Sequence, residues 1–282
     1  MADTNYIING INVGKPTLNS FGWAAMRAGT SQLGGITKRI TKVEVPGYDG
    51  YFQSPSTRTE QMLIFNIRSP RANVDTLMAL LAHTGYDTNF PTFGRIELST
   101  APGKAAYYEL VSAIPSSDRP SDDMVDVTAT LSIPYGGWRD IATTETTTSI
   151  TTNPQTVTTI GSGISLPIRD MDIFIQGNVG TMEINDSKGS FLRTTAAYAF
   201  VSGTGIYYQG ATGRAFFATD ASPWVSTGDA GHTIDASGGG FQMTPYFTAT
   251  TPQTRNARLT VLSTLLTSVS LKVRWRGAYV LR

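Results

Sequence analysis

ITKVEVPGYDGYFQSPSTRTEQMLIFNIRS, residues 40–69, decides how the rest of the chain is read. Val43 and Val45 alternate with Lys42 and Glu44, the period of a strand with one buried face. Pro46-Gly47 stops that strand, because proline lacks the N–H a ladder needs and glycine accepts a positive φ. Asp49-Gly50 is a second turn signal. Residues 62–67 are apolar nearly throughout, which predicts a strand buried on both faces. A helix signal follows at once. Pro70 suits a first turn, and Ser69 or Asn73 a cap. Val74, Leu77, Met78 and Leu81 then fall on one helical face before Thr84-Gly85 ends it. Strand, double turn, strand and helix make the nucleus of a domain.

Working outward, Asn9-Gly10 predicts a tight hairpin and Trp23 a core anchor. Residues 94–99, 106–114 and 124–133 read as strands, the last with Val125, Val127, Ala129, Leu131 and Ile133 on one face. Residues 115–123, PSSDRPSDD, read as a loop. Ten of the seventeen residues 143–159 are threonine, the sharpest change of composition in the chain. Threonine favours extended backbone because its branched Cβ restricts χ1. The reading is therefore a first domain over residues 1–142, a Thr-rich linker or first strand over 143–160, and a second domain over 161–282. In the second domain Met171, Ile173 and Ile175 alternate with Asp172, Phe174 and Gln176. In the last long strand Val269, Leu271, Val273 and Trp275 face one way, and Ser270, Lys272, Arg274 and Arg276 the other. Many short strands with glycine-rich turns predict an all-β chain, mainly antiparallel β-sandwiches, with one short helix in the first domain.

Composition excludes several classes. The chain of 282 residues is 40% hydrophobic and 15% charged, with net charge +1 and no cysteine. No global field recruits nucleic acid or acidic lipid. Thiol catalysis, disulfides and cysteine-ligated zinc are absent. No apolar run approaches a bilayer span, and the opening MADTNY lacks a secretory pattern, so the expectation is a soluble product with no membrane partner.

No constellation predicts catalysis. His83 sits where the helix ends, a site that suits a cation. His232 has Asp229 and Asp235 near it, a thin ligand set for a metal. Asp170 and Asp172 share a face if extended, but a hydrolase needs a second acid across a cleft. Gly203-Thr204-Gly205 lacks the third glycine and the helix of a dinucleotide fingerprint. The expectation is no enzyme, no cofactor and no metal. After Asp235 there is no acidic residue, while Arg255, Arg258, Lys272, Arg274, Arg276 and Arg282 follow. Contact with acids elsewhere on the sandwich or on a neighbour is favoured over phosphate.

VPGYDG, the strand after it and the short amphipathic helix resemble the ring-forming N-terminal domain of phage distal tail proteins. The closing VRWRGAYVL resembles their galectin-like C-terminal domain. Together the two resemblances cover nearly the whole chain. They imply a structural virion protein of a long non-contractile tail, made in the host cytoplasm. They imply a homohexameric ring between the tail tube and the tail-tip or baseplate hub protein, its lumen passing tape-measure protein and genome. In that family a long hairpin or loop helps neighbouring subunits join. One candidate carries Tyr48, Asp49, Tyr51 and Arg58; the other carries Asp118, Arg119 and Asp122. Galectins stack a tryptophan on sugar, which makes Trp224 a candidate ligand contact, although residues 232–235 lack the matching polar row. The alternatives are a tail tube or other minor tail protein, and a carbohydrate-binding module.

Overall fold

The computed structural model describes residues 5–31, 38–39, 42–44, 51–53, 57–58, 61–88, 90–116, 123–160, 163–221, 224–237, 240–247, 255–264 and 266–279. The chain divides into two units, residues 1–139 with 281–282, and residues 140–280. Both are antiparallel β structures, and the fold class is all-β as the alternation predicts.

The first unit contains, in order, β1 (Tyr6–Ile8), β2 (Ile11–Asn12), β3 (Ala24–Ser31), β4 (Lys38–Arg39), β5 (Lys42–Glu44), β6 (Tyr51–Gln53), β7 (Thr57–Arg58) and β8 (Gln61–Pro70). Helix α1 (Val74–Ala82) follows, then β9 (Gly94–Leu98), β10 (Lys104–Pro115), β11 (Met124–Ile133) and β12 (Trp138–Asp140). Asn9 and Gly10 turn β1 into β2 with φ of 47° and 82°, the backbone that Asn-Gly is chosen for. The main path is β2-β1-β9-β10-β11-β8-β3. β10 changes partner along its length. Ala105–Tyr108 pairs with β9, and Glu109–Pro115 with β11, with a bulge between Leu110 and Ser112. A bulge bends its strand, and here it carries β10 from one half of the path to the other.

α1 covers this sheet, with Leu77 and Leu81 fully buried against it. Neither Ser69 nor Asn73 caps it by a side chain. The Asn73 amide instead donates to Phe21 O at 2.8 Å, and the Ser69 hydroxyl to Pro70 O at 2.9 Å. Its last turn is held from outside by Asn9, whose Nδ2 donates to Leu80 O and His83 O at 3.0 and 3.1 Å. β8 corrects a sequence expectation. Leu63, Phe65 and Ile67 are buried, but Met62 and Ile64 are open, so only one face of this apolar strand is covered.

The second unit contains β13 (Thr144–Ile150), β14 (Gln155–Ile160), β15 (Asp172–Val179), β16 (Met182–Asp186), β17 (Phe191–Thr194), β18 (Tyr198–Ala199) and β19 (Thr204–Gln209). It continues with β20 (Arg214–Thr219), β21 (Val225–Asp229), β22 (Ile234–Ala236), β23 (Pro245–Phe247), β24 (Arg255–Ser263), β25 (Leu266–Trp275) and β26 (Ala278–Tyr279). One sheet runs β13-β25-β15-β19-β20-β21 and the other β14-β24-β16-β17-β22. The Thr-rich run forms β13 and β14, one margin strand in each sheet. Ile150, Val157, Ile173, Ile175, Ile184, Val261, Val269, Leu271, Val273 and Trp275 belong to one buried cluster. The two ends of the unit are clasped together. Asp140 N–H donates to Gly277 O at 3.1 Å, and the Asp140 carboxylate accepts Gly277 N–H at 3.0 Å and the Tyr279 hydroxyl at 2.8 Å. Among the described residues no helix is long and apolar enough to cross a membrane.

Candidate assembly surface

Side chains alternate across a strand, so burying Leu63, Phe65 and Ile67 sends Met62, Ile64, Asn66 and Arg68 to the other face. The register sets their neighbours. Ile64 lies opposite Thr130, Met62 opposite Ser132 and Asn66 opposite Thr128 on β11; Ser112 and Ile114 of β10 lie opposite Thr130 and Thr128. The open face is graded. At one end Arg68 grips Asp126 through Nε and Nη2 at 2.7 and 3.0 Å, and beside it the Thr128 hydroxyl donates to Asn66 Oδ1 at 2.7 Å. The rest of the face is mixed: Met62 and Ile64 on β8 are each 40% exposed, Ser132 and Thr130 of β11 lie between them and β10, and on β10 Val111 at the bulge is 57% and Ile114 64% exposed. Single exposed apolar side chains need no account, but four on one small stretch of sheet mark an interaction surface.

Between β3 and β8 in the chain lie two short antiparallel ladders, β4 with β7 and β5 with β6. Ser31 pairs with Ile64, Lys38 with Arg58, Arg39 with Thr57, Lys42 with Gln53, Val43 with Phe52 and Glu44 with Tyr51. Tyr51 and Arg58 lie on paired strands, opposite Glu44 and Lys38. Tyr48, Asp49, Asp118, Arg119 and Asp122 lie outside the described residues.

In the second unit Trp224 is only 6% exposed. Its indole stacks on Phe174 at 5.3 Å, meets Tyr207 edge-on at 5.3 Å, and has the Arg274 guanidinium 3.9 Å over the ring. No open ring face is left for a sugar, which corrects the stacking role expected of it. The cations of β25 find acids inside the unit. Arg274 Nε donates to Glu145 at 2.6 Å and Lys272 pairs with Asp220. Arg276 departs from the expected wet face: it is buried, with Nε donating to Thr143 Oγ1 at 3.1 Å. Burial raises the Asp172 carboxyl to about 6, against hydrogen bonds from the Tyr207 side chain and the Gly210 backbone and the nearby Arg274 charge. Burial, and then the Asp172 charge, push the Tyr207 hydroxyl up. Around His232 the carboxylates are taken: Asp229 accepts Gly231 N–H at 3.0 Å and Asp235 pairs with Arg193 at 2.6 Å.

No family model matches the chain, and no curated protein matches it. Among solved structures, the crystal structure of SPP1 Dit (gp 19.1) aligns over 96% of this chain and 98% of its own, with TM-score 0.54 at 15% identity. The chain shares the fold of SPP1 Dit. That protein is described as a paradigm of hub adsorption apparatus in phages infecting Gram-positive hosts. Chains of the phage P2 baseplate in its activated conformation, with Ca and with Sr, align over 98% of this chain and 99% of theirs. Their TM-score is 0.40, at 11% and 12% identity.

On this Dit-like fold the side chains that sequence reasoning missed are Met62, Ile64, Val111 and Ile114. An apolar strand read alone cannot reveal that one phase is covered and the other open. The only signal was Met62 and Ile64 standing in phase with Asn66 and Arg68, two polar residues that belong outside.

Proposed function

We propose that this chain is a distal tail protein, a structural component of a phage virion whose first unit closes a ring of six copies. The observation that carries the reading is the open face of β8, β11 and β10, where Met62, Ile64, Val111 and Ile114 are uncovered. Of the two candidate joining segments, the one carrying Tyr51 and Arg58 holds the paired strands β4 to β7 and is assigned that role. The whole-length fold likeness to SPP1 Dit supports the setting, a hub at the end of a tail. A ring is built from one heterologous contact repeated about an axis, so each copy offers two different surfaces. The ring docks on the tail tube by one side and on the tail-tip or baseplate hub protein by the other, and its lumen passes tape-measure protein and genome. Its work is to hold and align, without covalent chemistry.

The test is native mass by light scattering at about 10 μM, above ordinary interface dissociation constants. Six chains of 30.3 kDa give about 180 kDa. Ile64→Asp with Ile114→Asp places two desolvated carboxylates in the contact and breaks the ring into folded species far below that mass. A wild-type protein of monomeric mass sinks the reading, as does a double variant that keeps the full mass.

A further inference from the structure

A strand at the margin of a sheet leaves one row of backbone N–H and C=O groups open. Proteins blunt such margins with lysine, proline, bulges or brevity. β21, at one margin of its sheet, has a register shift against Phe217 and Ala218 and contains Gly228. β13, at the other margin, has none of these devices. It reads TETTTSI and pairs with β25 over seven successive residues without a shift, from Thr144↔Trp275 to Ile150↔Val269. Its single charge, Glu145, is turned onto Arg274. Threonine-rich, regular and with its one charge already paired, it is an open template for another strand.

The direction of its free groups can be read. The Ser149 carbonyl accepts Gln155 Nε2 at 2.9 Å, so it points off the margin rather than into the sheet. Outward groups recur at every second residue of an antiparallel ladder, which turns the N–H and C=O of Glu145 and Thr147 the same way. Among the described residues no loop or side chain takes them.

We propose that this margin is completed by the same strand of a second copy, antiparallel about a twofold axis through Thr146. The sequence selects that register. Centred on Thr146, Glu145 faces Thr147 of the second copy, so both outward pairs exchange hydrogen bonds and no charges meet. Centred on Glu145, two glutamates oppose each other, which is unfavourable. Centred on Thr147, Glu145 faces Ser149, whose carbonyl Gln155 already occupies. A shift by a single residue sets outward groups against inward ones. The contact is distinct from the ring surface of the first unit.

The chain has no cysteine, so cross-links report only the residues introduced. Thr146→Cys in the full chain places two thiols across a close pair, with Cα atoms about 4.5 Å apart, within disulfide reach. Mild oxidation should give covalent dimers about tenfold in excess of Thr152→Cys, an exposed control, because pairing raises the effective concentration. Adding Thr147→Pro removes an outward N–H, spares the β25 ladder, and returns cross-linking to the control level. A mixture of Thr144→Cys and Thr148→Cys chains should cross-link with each other and not with themselves, which keeps the test open if Thr146→Cys folds poorly. Chains carrying Ile64→Asp and Ile114→Asp should still cross-link through Thr146→Cys, which separates this contact from the ring. Cross-linking no better than Thr152→Cys, or indifferent to Thr147→Pro, overturns the proposal. So does a homodimer in another register, or a margin filled only by a different protein.

Discussion

At the scale of single residues, Trp275 and Asp172 make opposite demands on the second unit. Trp275 is 8% exposed and belongs to its main core cluster. Trp275→Ala should lower the stability of that unit by about 3–5 kcal/mol, as large-to-small core changes do. A thermal melt should show one transition moved and that of the first unit unmoved. Its place was legible, because a one-residue slip of β25 would bury Lys272 and Arg274 in its stead. Asp172 works through its raised carboxyl, at about 6 against an ordinary 3.8. A raised acid favours the folded state most when protonated. That contribution is complete below the unfolded value and fades as pH rises from about 4 to 6, by roughly 3 kcal/mol. The second unit should therefore melt higher at pH 5 than at pH 7, and Asp172→Asn should flatten that difference; an equal slope in both proteins refutes it. Trp224 was not legible in this way. Its burial depends on Phe174 and Arg274, brought to it from distant strands.

At the scale of elements, period reading found α1 and the long strands but not what covers each face. α1 was placed by Val74, Leu77, Met78 and Leu81, and Leu77→Ala should cost the first unit about 2–5 kcal/mol in denaturant unfolding. β8 shows the boundary of the method: its apolar residues occupy both phases, and whether the second phase is core or contact depends on partners no local window contains. Gly205 is the converse case. Read as half of a nucleotide fingerprint, it sits in β19 where a Cβ would overlap the carbonyl oxygen of Ile175. Backbone cannot give way there as a flexible side chain would. Gly205→Ala should push β19 off β15 and lower the melting temperature of the second unit, whereas Gly203→Ala, with open space but a φ of 83°, pays only for conformation. Equal effects of the two would disprove the close approach.

At the scale of the whole molecule, the order of parts was legible and the surfaces were not. A change of composition marks where β13 and β14 begin, just after the division between units at residues 139 and 140. Residues 1–142 expressed alone should fold and form the ring of six in light scattering. A folded but monomeric fragment moves the ring contacts into the second unit. The clasp at Asp140 adds a consequence for how such chains change over time. A unit that the backbone joins and quits at one point is topologically a cassette. A domain whose ends lie equally close could take its place in the chain.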